Sequence, residues 1–221
     1  MTSALRILVI NPNSSIPVTA AIDAALQPLR LAGGPEVVVT RLAAGPPGIL
    51  TQRDADSVAA PLAELVASDR ADAFVIACFS DPGLHGAREA AQGRTVMGIG
   101  EWGVLSALTL GERFGILALS NASIRRQKRM VRQMGVESRY AGSWPIDASA
   151  AETTDSGVHD RLIEAGRALV RERGADVVVL GCAGMASQRA AIEQAIGRPV
   201  VEPSQRAVAA AIGAVLTGAS P

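Results

Sequence analysis

Short apolar runs alternate along this chain with longer stretches of helical period, the order expected of an α/β protein built on parallel sheets. Leu5 to Ile10, Glu36 to Arg41 with its three consecutive valines, Ala73 to Ala77 and Thr95 to Ile99 read as strands. Phe114 to Leu119, Ser138 to Trp144, Asp176 to Gly181 and Pro199 to Val201 read as four more. The turn Asn11-Pro12-Asn13-Ser14-Ser15 is rich in capping residues and precedes Pro17, so it opens a helix that is expected to run to about Leu31. After a loop from Ala43 to Leu50, Thr51 with Asp54 has the form of a capping box, and Pro61 is expected to kink or interrupt the helix that follows. Ser80 or Asp81 with Pro82 opens a helix to about Ala91, and Glu101 to Leu110 forms another. Later helices are expected from Ile124 to near Gly135, from Val158 to Arg173, from Met185 to Ile196, and from a Ser204 cap to about Leu216; Pro145 to Ser156 reads as loop.

The second half repeats the first. Shifting the sequence by the 104 positions that separate Cys78 from Cys182 superposes Leu65-Val66 on Leu169-Val170, Ala71-Asp72 on Ala175-Asp176 and Val75 on Val179. Beyond the cysteines, Ala87, Glu89, Ala91, Gly93, Arg94 and Val96 match Ala191, Glu193, Ala195, Gly197, Arg198 and Val200 without a gap. This is the mark of an internal duplication. The fold expected is α/β with two pseudo-symmetric lobes, each a mainly parallel sheet flanked by helices, and an active site in the cleft between them. Residues 1–99 plus 204–221 form the first lobe and 100–203 the second.

Composition narrows the function. Lys plus Arg and Asp plus Glu number 21 each, so no global field draws the chain to nucleic acid or an anionic membrane. The basic run Arg125-Arg126-Gln127-Lys128-Arg129 with Arg132 reads as a solvated helix face. No apolar run approaches the ~18 residues of a membrane helix, and the chain enters its first strand without the pattern of a secretory leader. A cytoplasmic protein with a small-molecule substrate is expected, and a homo-oligomer stays open. Two cysteines make neither a disulfide framework nor a zinc site.

Each cysteine stands at the carboxyl end of an apolar strand and before a helix, where open α/β sheets bind ligands. Two matched thiols facing one molecule suit the inversion of a carbon next to a carbonyl, in which one group removes a proton and the other returns one on the opposite face. A helix amino terminus is expected to lower both thiol pKa values. Backbone N–H groups around Phe79 to Ser80 and Ala183 to Gly184 are expected to stabilise the developing negative charge, so no metal or organic cofactor is required.

The stretches Ile10-Asn-Pro-Asn-Ser-Ser15, Ala77-Cys-Phe-Ser-Asp-Pro-Gly-Leu84 with Ala87-Arg-Glu89, Gly98-Ile-Gly-Glu101, Arg113-Phe114 and Gly181-Cys-Ala-Gly-Met185 resemble the cofactor-independent aspartate/glutamate/hydantoin racemase superfamily, and within it the hydantoin and allantoin racemase branch. The resemblance implies that Cys78 and Cys182 are the catalytic acid/base pair and that Asn11, Phe79, Ser80, Ser120, Asn121, Ala183 and Gly184 line the pocket. The chain departs from the family pattern at Leu119-Ser120-Asn121, where a pair of threonines is expected, and at Glu202-Pro203-Ser204, where an Asp-Gly pattern is. An aspartate/glutamate-type amino-acid racemase and a noncatalytic metabolite binder therefore stay open as alternatives.

The remaining titratable residues have blander readings. Asp81 reads as a helix cap, Asp72 and Asp176 as structural residues at the strand starts, and His85 and His159 as solvated or structural. Glu202 ends a strand on the cleft side and is retained as a candidate.

Overall fold

The computed structural model describes residues 5–154 and 156–218, so residues 1–4 and 219–221 of the expected first lobe, and Asp155 of the expected loop, lie outside the described residues. Two parallel four-stranded sheets flanked by helices make up the fold. The first has the order β2-β1-β3-β4, from β1 (Arg6–Asn11), β2 (Glu36–Arg41), β3 (Ala73–Ile76) and β4 (Thr95–Gly98). The second has the same order displaced by four, β6-β5-β7-β8, from β5 (Phe114–Ala118), β6 (Tyr140–Pro145), β7 (Val177–Leu180) and β8 (Val200–Val201).

The helices are α1 (Ile16–Ala25), α2 (Gln52–Ser57), α3 (Ala59–Ser68), α4 (Leu84–Ala90), α5 (Ile99–Leu108), α6 (Asn121–Gln133), α7 (His159–Arg173), α8 (Arg189–Ile196) and α9 (Pro203–Thr217). No described helix is long and apolar enough to cross a membrane. α9 leaves β8 and packs on α5 and on β1, β3 and β4 of the first sheet. One buried cluster runs from Ile7 and Val9 in β1 and Val18 and Ile22 in α1 to Leu180, Cys182 and Met185 in the second half, so the two sheets share a continuous core.

The duplication holds down to single hydrogen bonds, with Asp72 and Ala77 lying 104 positions before Asp176 and Gly181, and Arg6 and Ile10 lying 107 before Arg113 and Leu117. The Arg6 N–H donates to Asp72 Oδ2 at 2.7 Å and the Arg113 N–H to Asp176 Oδ2 at 3.0 Å, which gives both aspartates the same task of tying a strand start to its neighbour. At the opposite ends of these strands the Ala77 N–H donates to Ile10 O at 2.8 Å and the Gly181 N–H to Leu117 O at 2.9 Å. Each cysteine is therefore the first residue past the last ladder bond of its strand, where the chain is free to turn into the space between the sheets.

Local details differ from expectation for physical reasons. α1 stops at Ala25 and gives way to a 3-10 turn at Gln27–Leu29, because Pro28 has no N–H to continue the helix. The Thr51 and Asp54 capping box forms, but the helix breaks at Val58 and restarts, leaving Pro61 in the first turn of α3 where no N–H is needed. Asp81 does not cap α4, whose amino end is Gly83 in the left-handed region (φ 66°). Its carboxylate caps α5 instead, accepting from the Gly100 N–H at 2.9 Å and the Glu101 N–H at 2.7 Å. α9 is capped by Glu202, not Ser204: the carboxylate accepts from the Ser204 N–H at 3.1 Å and the Gln205 N–H at 2.6 Å. The helix expected from Met185 is a 3-10 segment, Ala183–Gln188, followed by α8.

Candidate active site

Cys78 and Cys182 line one small cavity, about 30 Å³ in volume, bounded by residues that follow the carboxyl ends of β1, β3, β5 and β7. Ile49 of the 43–50 loop and Ala150 of the segment after β6 close against it, and a Cβ at Gly48 would lie 3.8 Å from that of Ala150.

The two thiols have matching surroundings. The Ser80 N–H favours the Cys78 thiolate and the Gly184 N–H that of Cys182, again 104 positions apart. Cys182 stands at the start of the 3-10 segment, is 9% exposed, and has Thr153 Oγ1 3.8 Å from its Sγ. Thr153 is fully buried and donates to Ala150 O at 2.6 Å. In the contact with Cys182 either group can donate, and the Thr153 hydroxyl favours the thiolate.

The expected lowering of the thiol pKa values is not found. Although Cys78 keeps part of its surface exposed, its thiol is enclosed by protein, and this burial pushes it up to about 12 against the Ser80 N–H, which pulls it down. The charges of Cys182 and Asp81 raise it further, and Arg126 lowers it. Cys182 is also raised, first by burial, with the Gly184 N–H and the Thr153 hydroxyl opposing and Glu202 adding to the rise. Loss of hydration outweighs the Ser80 N–H of a turn at Cys78 and the Gly184 N–H of the 3-10 segment at Cys182; α4 begins only at Leu84, so no helix end faces Cys78. Because each thiolate would raise the other's pKa, the pair titrates as a unit.

Among the other residues expected at the site, Phe79, Ser80 and Ala183 line the cavity, and the Phe79 ring also anchors in the core beside Val104, Val179 and Val201. Gly184 packs behind Cys182, with its N–H favouring the thiolate and no room for a side chain. The structure does not bring Asn11, Ser120 or Asn121 to the cavity wall. Asn11 is fully buried and spends its amide on the turn, donating from Nδ2 to Thr19 Oγ1 at 3.0 Å and Asn13 Oδ1 at 3.1 Å and accepting from the Asn13 N–H at 3.3 Å. It presents Asn13, which does line the cavity. Ser120 caps α6, with its Oγ 3.4 Å from the Ser123 nitrogen, and Asn121 is exposed on the first turn of that helix.

The inner face of α6 supplies groups that sequence reasoning missed. Ser123, Arg126 and Gln127 are buried and line the cavity, whereas Arg125, Lys128, Arg129 and Arg132 are exposed as expected. Arg126 reaches across to the first half of the chain. Its guanidinium donates to Ser80 Oγ at 3.2 Å, Leu50 O at 2.8 Å and Ile49 O at 3.4 Å, and to Ser123 Oγ on its own helix at 3.4 Å. The signal was present in the sequence as two adjacent polar residues one turn beyond Ser123, but a polar inner face reads as an outer one.

Glu202 lies 2% exposed as the α9 cap, outside the cavity wall, and its carboxyl is raised by burial. His85 is exposed, and His159 shares a 2.8 Å hydrogen bond between Nδ1 and Gln188 Oε1. Among the described residues no cluster of three His, Cys, Asp or Glu side chains could hold a metal ion.

Comparison with known proteins places this architecture. Residues 7–211 match the Asp/Glu/Hydantoin racemase family. A hydantoin racemase of Paenarthrobacter aurescens is 32% identical over 97% of this chain and 92% of its own, and one of Rhizobium meliloti 35% identical over 90% and 83%. The solved structure of an allantoin racemase from Klebsiella pneumoniae superposes with a TM-score of 0.89 at 31% identity, covering 98% of this chain and 90% of that one. The two-sheet fold, the paired cysteine segments and matches of this length agree, and the chain belongs to the Asp/Glu/hydantoin racemase family.

Proposed function

We propose that the protein is a cofactor-independent racemase that inverts C5 of a 5-substituted hydantoin or an allantoin-like ring, with Cys78 and Cys182 as the two proton-transferring groups. The observation that carries this reading is that both thiols, from equivalent strand ends, border one cavity. The names of the relatives point to the same substrate class.

In this mechanism the thiolate of one cysteine takes the C5 proton and becomes a thiol, while the C–H electron pair moves into an enolate whose charge gathers on the C4 oxygen. The thiol of the other cysteine then gives its proton to the opposite face of C5 and becomes the thiolate. No net charge is gained or lost, and the next turnover starts from the other sulfur. Burial holds the empty pair mainly as two thiols near neutral pH, so the working fraction with one thiolate grows as pH rises. Closure of the 43–50 loop against the segment around Ala150 would then exclude water from the enolate.

An amino-acid substrate would call for a charged clamp on its carboxylate. Arg126 is a cation in the cavity wall, but four of its N–H groups already bond to Ser80, Leu50, Ile49 and Ser123, which favours the ring. The same reading puts the enzyme in the cytoplasm, where two unpaired thiols stay reduced.

The test is polarimetry of single enantiomers. One enantiomer of a 5-monosubstituted hydantoin should lose rotation toward zero far faster than without enzyme, and Cys78→Ser or Cys182→Ser should abolish the decay. Racemisation of aspartate or glutamate without any effect on the hydantoin would assign the runner-up activity. Binding of the hydantoin with no turnover, and unchanged in both serine variants, would assign a binding protein.

A further inference from the structure

The cavity wall contains two amide side chains that proton transfer between thiols does not use. Asn13, 5% exposed, comes from the turn after β1, and Gln127, 4% exposed, from the inner face of α6. In each, the oxygen is tied to protein. Asn13 Oδ1 accepts from the Ser15 N–H at 2.9 Å, and because a backbone N–H can only donate, the oxygen must face Ser15 and Nδ2 must point the other way. Gln127 Oε1 accepts from Ser143 Oγ at 2.5 Å, and that hydroxyl is in turn bonded to Tyr140 OH. A phenol is the better donor of the two hydroxyls, so the relay runs from Tyr140 through Ser143 to the amide oxygen and leaves Nε2 on the far side. The far side is against the second thiol segment, since a Cβ at Gly181 would lie 2.8 Å from Gln127 Nε2. Among the described residues, neither Asn13 Nδ2 nor Gln127 Nε2 donates to a protein acceptor. Each is a donor on a nearly buried side chain of the cavity wall with no protein acceptor, which makes this pair a candidate for ligand contacts.

The geometry points to Asn13 Nδ2 from one lobe and Gln127 Nε2 from the other as paired donors to the two carbonyl oxygens of a substrate ring held between Cys78 and Cys182. The inference rests on the racemase reading above and narrows its substrate to a cyclic imide or ureide. Such a ring is neutral, carries two acceptors, and is satisfied by amide N–H groups. A donor already fixed at the carbonyl next to C5 also stabilises the enolate oxygen without reorganising when the proton leaves. The two donors belong to different lobes, so only a ligand with an acceptor at each end bridges them.

Asn13→Asp and Gln127→Glu test this with minimal change of shape, because each keeps the oxygen that Ser15 or Ser143 holds and replaces the NH2 by an oxygen. Calorimetry uses 5,5-dimethylhydantoin, which has both carbonyls and no C5 proton, and 2-imidazolidinone, which has one carbonyl. Wild type should bind the dimethyl ring more tightly than the imidazolidinone. Each variant should weaken the dimethyl ring by about tenfold or more, while the imidazolidinone loses affinity in at most one of them. Asn13→Ala and Gln127→Met serve if an acidic variant fails to show the wild-type circular dichroism. Unchanged affinity for the dimethyl ring in folded variants at both positions would overturn the assignment, and racemisation of a 5-monosubstituted hydantoin by the same wild-type sample would show that the function reading survives it. Failure of wild type both to bind the dimethyl ring and to racemise the monosubstituted one would remove that reading as well.

Discussion

Replacing Gly184 by alanine tests how tightly the second thiol is built in. A Cβ at this position would fall well inside van der Waals contact with Thr153 Oγ1 and lie 3.1 Å from Ala150 O. Gly184 is not among the positive-φ glycines, so alanine meets no backbone strain and the whole effect is steric. Thr153 has little room to yield: it is fully buried, its hydroxyl donates to Ala150 O at 2.6 Å, and a β-branched side chain has few rotamers. Overpacking of this kind costs about 1–3 kcal/mol, which in a chain of 221 residues lowers Tm by roughly 2–12 °C. Thr153→Ala removes the obstructing atom, and by itself it leaves Ala150 O without its donor at a cost of about 1–3 kcal/mol. The double variant should therefore lose less than the sum of the two, by about 0.5–3 kcal/mol. Urea unfolding of the four proteins measures the cycle, and kcat should fall with Gly184→Ala because the Cys182 sulfur shifts with its Gly184 N–H. A neutral Gly184→Ala, or a cycle additive within about 0.5 kcal/mol, would refute the packing argument.

Other consequences are open to simple assays. Since burial raises both thiols, kcat/KM should climb with pH by close to tenfold per unit from pH 7 to at least pH 9, and a plateau below pH 8 would mean that a thiolate is already formed in the free enzyme. Arg126 favours the Cys78 thiolate, so in a Cys182→Ser background Arg126→Gln should slow iodoacetamide alkylation of Cys78 at pH 8.5 by about tenfold, with Arg126→Lys closer to the parent; equal rates in folded proteins would remove Arg126 from that role. Thr51→Ala breaks the α2 capping box, two residues past the cavity-lining Ile49, and should lower stability by about 1 kcal/mol in urea unfolding; no change would mean that the exposed α2 adds nothing to the global stability.

The duplication was legible in the sequence because both copies need the same backbone events: an aspartate at the strand start, a thiol one residue past the last ladder bond, and an N–H two residues later that favours the thiolate. Repetition of those residues at one offset carries more information than either copy alone. The cavity wall was harder to read. α6 turns Ser123, Arg126 and Gln127 inward, against the rule that buried helix faces are apolar, because the cavity rather than the core receives them. Of the two asparagines in the Asn11-Pro12-Asn13 turn, the first is consumed by hydrogen bonds to the turn itself, which no spacing argument distinguishes. Asp81 caps a helix that begins eighteen residues later, at Ile99, a partnership created by tertiary folding and invisible to local capping rules. The thiol pKa values were misjudged because the helix expected at Cys78 begins only at Leu84, past a turn, and because sequence does not display burial.

The division of labour between the thiols is tested most directly by following C5 proton exchange in D2O, one hydantoin enantiomer at a time, with wild type, Cys78→Ser and Cys182→Ser. Two-base transfer predicts that wild type exchanges both enantiomers as it racemises them, and that each variant loses racemisation while any exchange it retains is confined to one enantiomer, a different one for each cysteine. Either variant continuing to racemise, or both retaining exchange on the same enantiomer, would contradict it.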